Sequence, residues 1–86
     1  MSAESVASEL STIVDFIRYG ATRFAAAGLT FGHSYDNALD ESTHLVLHVL
    51  HLPHDISPNY GSARLTSDEK RQVLALIERR IVERKP

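Results

Sequence analysis

Eighty-six residues, 43% of them hydrophobic and 23% charged, with a net charge of −2 and no cysteine, describe one small domain. A chain of this length buries only about 60–65% of its unfolded surface, which leaves room for one core and little for a deep, walled active site. Doubly wound sheets and barrels need roughly twice this length or more, and the absence of Cys rules out a disulfide framework and thiolate metal ligation. No apolar tract reaches the length of a membrane span, and no charged-then-apolar leader opens the chain. A soluble, cytoplasmic-type chain is expected. The charge is unevenly placed: residues 1–55 carry seven acids and two bases, net −5, whereas residues 56–86 carry four acids and seven bases, net +3.

Residues 1–10 carry no strong periodic signal and are expected as a flexible tail, with the helical domain occupying residues 11–86. The first long helix is predicted from about Ser11 to Ala27, with Ile13, Phe16, Ile17, Gly20, Phe24 and Ala27 on one stripe and Asp15, Arg18 and Thr22 opposite. Gly28 stands where a left-handed cap is wanted, and Leu29 is the apolar residue that packs back on the last turn. Gly20, in the middle of the apolar stripe, predicts close approach of another helix.

A short connector, Thr30–Tyr35, leads to a second helix over about Asp36–His51, capped by Ser34 or Asp36. Its expected buried face is Ala38, Leu39, Leu45, Val46, Val49 and Leu50. Asp36, Asp40 and Glu41 in the early turns and His48 and His51 in the last suit the helix dipole, and Pro53 ends the helix. From Pro53 to Leu65 the pattern breaks, with Ile56, Tyr60 and Leu65 as anchors and a single helical turn near Pro58–Gly61. Thr66-Ser-Asp-Glu69 forms a capping box that starts the last helix, Ser67 to about Arg84, whose apolar face is Val73, Leu74, Ile77 and Ile81. With no period-2 segment of useful length, the fold class is all-α: a small helical bundle of three long helices plus one or two short turns. The helix that runs almost to Pro86 reads as the end of an N-terminal piece of a longer protein.

Three constellations invite a chemical reading. Asp40, His44, His48 and His51 share an arc of about 80° on the second helix, and an i,i+4 His pair can ligate zinc when a third ligand arrives. That arc lies opposite the apolar stripe, so a solvated polar face is the expectation and no metal site is assigned. His33 and His54 sit near Asp36 and Asp55, yet no Ser or Cys nucleophile accompanies them. The four glycines match no phosphate-cradling pattern. The basic residues of the tail, Arg64, Lys70, Arg71, Arg79, Arg80, Arg84 and Lys85, are interleaved with Glu69, Glu78 and Glu83, as on a solvated helix with intrahelical ion pairs. RNA contact through this tail is the weaker alternative.

The run Arg23–Glu41, with Gly32-His33-x-x-Asp36-Asn37 as its most specific stretch, followed by 45–53, 63–69 and 77–84, resembles the N-terminal helical domain of the HemK-like family of protein-glutamine methyltransferases. The similarity covers roughly residues 10–86 and is greatest to the branch that modifies a ribosomal protein of the large subunit. It implies an S-adenosylmethionine-dependent enzyme that methylates a glutamine side-chain amide, with the cofactor and an Asn-Pro-Pro-Tyr motif in a downstream domain. Neither Asn37 nor Asn59 is followed by Pro-Pro, so no catalytic, cofactor or metal residue is carried over, and residues 1–86 alone are expected to be inactive. The implied role is docking of the ribosomal protein substrate beside the chain's own catalytic domain. Phe31, His33, Asp36 and Asn37 in the connector and Arg71, Arg79 and Arg80 on the last helix are the docking candidates. A stand-alone helical protein- or RNA-interaction module is the alternative.

Overall fold

Four α-helices and one short 3₁₀ helix, with no strand, are present among residues 3–28 and 37–83, which the computed structural model describes. They are α1 (Ala3–Glu9), α2 (Ile13–Ala27), α3 (Ala38–Val49), the 3₁₀ helix Pro58–Ser62 and α4 (Ser67–Glu83). The expected all-α bundle of three long helices is what forms.

Local chemistry sets most of the boundaries. α2 begins in a capping box: Thr12 Oγ1 accepts from the Asp15 amide, while Asp15 Oδ2 accepts from the Thr12 and Ser11 amides at 3.0 and 2.9 Å. These amides hold the Asp15 carboxyl below its ordinary range, with the Thr12 amide the largest cause and the Ser11 amide next. α2 ends at Gly28, in the left-handed conformation predicted for it (φ 68°). α4 starts as predicted, with Thr66 Oγ1 accepting from the Glu69 amide and Glu69 Oε1 from the Thr66 amide.

Several expectations are corrected. The N-terminal tail contains α1, and its Val6 is 5% exposed in the core. Lys70 Nζ anchors this helix by donating to the Ala7 carbonyl at 3.0 Å, so a segment too short to fold alone is held by its partner. α3 is capped by Asn37, whose Oδ1 accepts from the Asp40 amide. Ser34 and Asp36, the expected caps, lie outside the described residues, as do Leu29 and Arg84. α3 stops at Val49, before His51, because His51 takes a left-handed φ of 59°. The Leu52 amide donates to the Leu47 carbonyl and the His51 amide to that of His48, a Schellman arrangement with His where Gly is usual. Tyr60, expected as an anchor, is 54% exposed, while Leu65 is buried and Ile56 half-buried. The Ile13 amide donates to the Ala63 carbonyl and the Leu65 amide to that of Ser11, fixing the segment after the 3₁₀ helix against the start of α2.

The core lies between α2, α3 and α4. Phe16, Phe24, Val46, Val73 and Ile77 are fully buried, each contributing about 1.5–3 kcal/mol by burial. The face α3 presents to this core differs from the expected one. Val46 is buried as predicted, but Leu39 is exposed, and Glu41, Ser42 and Leu47 are buried. The cause is on α2: Gly20 has no side chain, so Ser42 fits against it and donates to the Ile17 carbonyl at 2.6 Å. Helix approach at Gly20, predicted from its position in the stripe, is thus made by a buried serine.

Candidate functional site

Site geometry starts from the ion pairs, which reorganise the charges of α4. Arg80 is drawn inward: its Nε is 2.5 Å from Glu41 Oε1, and the two side chains are 14% and 11% exposed. Both Arg80 Nη atoms are buried without a hydrogen-bond partner, so the guanidinium does not fork onto both carboxylate oxygens. The expectation of Arg80 on an exposed basic face is therefore corrected. Arg71 pairs with Asp68, and Arg79 Nε is 3.4 Å from Glu83 Oε2, both within α4 and both exposed. Glu78 reaches across to Arg23 on α2 at 2.6 Å, and Arg23 Nη1 also meets the Tyr19 hydroxyl at 3.3 Å. The interleaving of acids and bases read from the sequence does give intrahelical pairs, but the two that join helices were not legible there.

Arg71 and Arg79 border different grooves. Arg71 lies with Lys70, Leu74, Ala75 and Ala7 along a groove of about 640 Å³ between α1 and α4. Arg79 faces a groove of about 430 Å³ with Gln72, Leu76, His48 and His51. Asn37 is the α3 cap, and its side-chain oxygen is engaged there. Phe31, His33 and Asp36, the other docking candidates, lie outside the described residues.

The histidine face of α3 is more structured than a plain solvated stripe. Asp40, His48 and His51 are exposed, but His44 is half-buried. Its ring meets that of His54 edge to face, with centroids 3.8 Å apart, so the loop after Pro53 folds back on the helix. Glu41, His44, Leu45, His48 and His54 line an open pocket of about 290 Å³. Sequence reasoning missed His54 as part of this face, because the 51–54 turn that returns it follows from the left-handed His51. Among the described residues, no three His, Asp or Glu side chains are grouped as a metal site. Nor is there, among them, a strand ending in a glycine-rich turn that would cradle a nucleoside cofactor. No described helix is long and apolar enough to cross a membrane.

The chain is homologous to the N-terminal part of proteins named ribosomal protein uL3 glutamine methyltransferase. It is 70% identical over 82 residues to the one from Xylella fastidiosa, which covers 95% of this chain and 26% of the relative. Identity is 67% over 82 residues with the Xanthomonas campestris protein and 52% over 80 residues with that of Neisseria meningitidis serogroup B. The chain thus spans about a quarter of the length of the curated relatives it matches. No family model matches it. No solved structure matches it either.

Proposed function

We propose that this chain is the N-terminal substrate-recognition domain of a cytoplasmic, S-adenosylmethionine-dependent methyltransferase that methylates a glutamine side-chain amide in ribosomal protein uL3. The observation that carries this reading is the 70% identity over 95% of the chain to the Xylella protein of that name. The chain spans about a quarter of such a protein's length, and on this reading the cofactor and the methyl transfer belong to the remaining three-quarters, so no step of the transfer is derived from this chain.

What this domain contributes is position. An amide nitrogen is a weak nucleophile, and holding it in reacting geometry replaces a large entropic part of the barrier. A second surface that grips the folded substrate supplies that orientation without touching the reacting atoms. The alternative of a free-standing RNA-binding module draws less support from α4, because Arg80 is withdrawn into a pair with Glu41 and the exposed Arg71 and Arg79 are matched by Asp68 and Glu83, whereas phosphate tracking favours unmatched cations.

The test is kinetic, on the full-length enzyme with and without the residues corresponding to 1–86. Deletion is expected to raise KM for the protein substrate far more than KM for S-adenosylmethionine. Equal effects on both would assign the domain a scaffolding role and refute recognition.

A further inference from the structure

We infer that the pocket between α3 and the 53–57 loop, formed by Glu41, His44, Leu45, His48 and His54, is a subsite that holds a lysine or arginine side chain of a partner polypeptide. The inference deepens the proposed function and rests on it for the identity of the partner, while the pocket's chemistry stands on the structure alone.

The size comes first. At about 290 Å³ the pocket sits at the bottom of the roughly 300–1,000 Å³ range of small-molecule sites, which suits one long side chain. Its lining is matched to an amphipathic cation. Leu45 offers apolar surface for a methylene stem, while imidazole nitrogens and the Glu41 carboxylate are acceptors for an ammonium or guanidinium. Arg80 takes Glu41 Oε1 through Nε alone, and its Nη atoms do not reach Oε2. No Lys or Arg lines the pocket.

The surrounding charges point the same way. Asp40 lies one turn before His44 on the same stripe of α3, and Asp55 follows His54. Both are exposed and have no ion pair among the described residues. Of the cations around it, Arg80 is tied to Glu41 at 2.5 Å, and Arg79, which shares a groove with His48, is held by Glu83. Arg80 is withdrawn by its pair with Glu41, and Arg71 and Arg79 are matched within α4 by Asp68 and Glu83, whereas residues 1–55 carry a net −5 and their Asp40 and Asp55 have no ion pair among the described residues. A protein that binds ribosomal RNA must carry Lys and Arg for the phosphates. Before it is assembled on RNA, those side chains are available to an acidic surface of this kind.

The experiment is a titration of the chain, whose core closes between Val6 and Ile77, with N-acetyl-hexalysine amide, read by nuclear magnetic resonance of the histidine rings and leucine methyls. Shifts are expected at His44, His48, His54 and Leu45, with affinity falling as salt rises, as for exposed charges. Asp40→Asn and His48→Gln, both exposed positions, should each weaken binding by about threefold or more, while Glu9→Gln on α1 should leave it unchanged. The proposal is overturned if the shifts map to the α1/α4 groove or nowhere, or if Glu9→Gln weakens binding as much as Asp40→Asn. It is equally overturned if hexaglutamate or oligouridylate moves the same residues as strongly, or if zinc chloride at micromolar concentration moves the three histidines and hexalysine does not. A failed titration with KM still raised by domain deletion removes the subsite and leaves the recognition domain. A successful titration with KM unchanged by deletion supports the subsite and refutes the recognition role.

Discussion

Replacing Gly20 by Ala tests the helix junction at its closest point. A Cβ at this position would meet Ser42 Oγ at under 3.0 Å, a separation real Cβ atoms essentially never show, with Ile77 Cδ1 at 3.2 Å and Ser42 Cβ at 3.3 Å. The isoleucine end can yield, but the serine is fully buried and committed to the Ile17 carbonyl. Overpacking of this kind costs about 1–3 kcal/mol, and displacing the Ser42 hydroxyl forfeits a bond worth about 1 kcal/mol. Against this, Ala is preferred over Gly in a helix by about 1 kcal/mol. The net expectation is a loss of about 2 kcal/mol, or roughly 8–16 °C in Tm for a domain of this size. Urea unfolding followed by circular dichroism measures it, in wild type, Gly20→Ala, Ser42→Ala and the double variant. Removing Oγ relieves the worst contact, so Gly20→Ala should cost less than half as much in the Ser42→Ala background, a coupling of about 1 kcal/mol. A Gly20→Ala protein as stable as wild type, or strictly additive effects, would refute the reasoning.

Glu41→Gln should destabilise by about 3–5 kcal/mol, because it leaves the Arg80 guanidinium buried without its counter-charge. Glu41→Met with Arg80→Met should recover most of that loss, and thermal unfolding of wild type and the two variants compares them. Thr12→Ala should cost about 1 kcal/mol by removing the α2 cap, and amide hydrogen exchange should show the loss first at Asp15. The lowered Asp15 pKa adds stability above the ordinary carboxyl value of 3.8, lost as pH falls through the lower folded value. Asp15→Asn should therefore flatten the acid limb of a stability–pH profile below pH 3.8 and leave its alkaline side unaltered in shape.

How far the sequence reached depends on the range of the interactions involved. The starts and stops that rest on residues within four positions of one another were legible: Gly28 as a left-handed cap, Thr66 with Glu69, and the 3₁₀ turn after Ser57. So was the apolar stripe of α2, because a 3.6-residue period appears in any sequence that folds one helix face inward. The box at Thr12 carried a readable signal too, a hydroxyl followed three residues later by a carboxylate, though with Asp in place of the usual Glu. The homology legible in Gly32–Asn37 and its flanks agreed with the relatives' names.

What the sequence left open was decided by groups far apart along the chain. Nothing local to α3 says that Glu41 and Ser42 turn inward while Leu39 turns out. That choice follows from Arg80, 39 positions away, and from the missing side chain of Gly20. The same holds for α1, which has too few residues to be stable alone and is held by Lys70. It holds also for the histidine pocket, which needs the His51 turn to bring His54 onto His44. Periodicity and caps determined that there are helices and roughly where they run. Which polar side chains are consumed inside the bundle, and which remain at its surface, was settled only when the helices packed. A charge's availability depends on its nearest opposite charge, and that neighbour is set by tertiary structure.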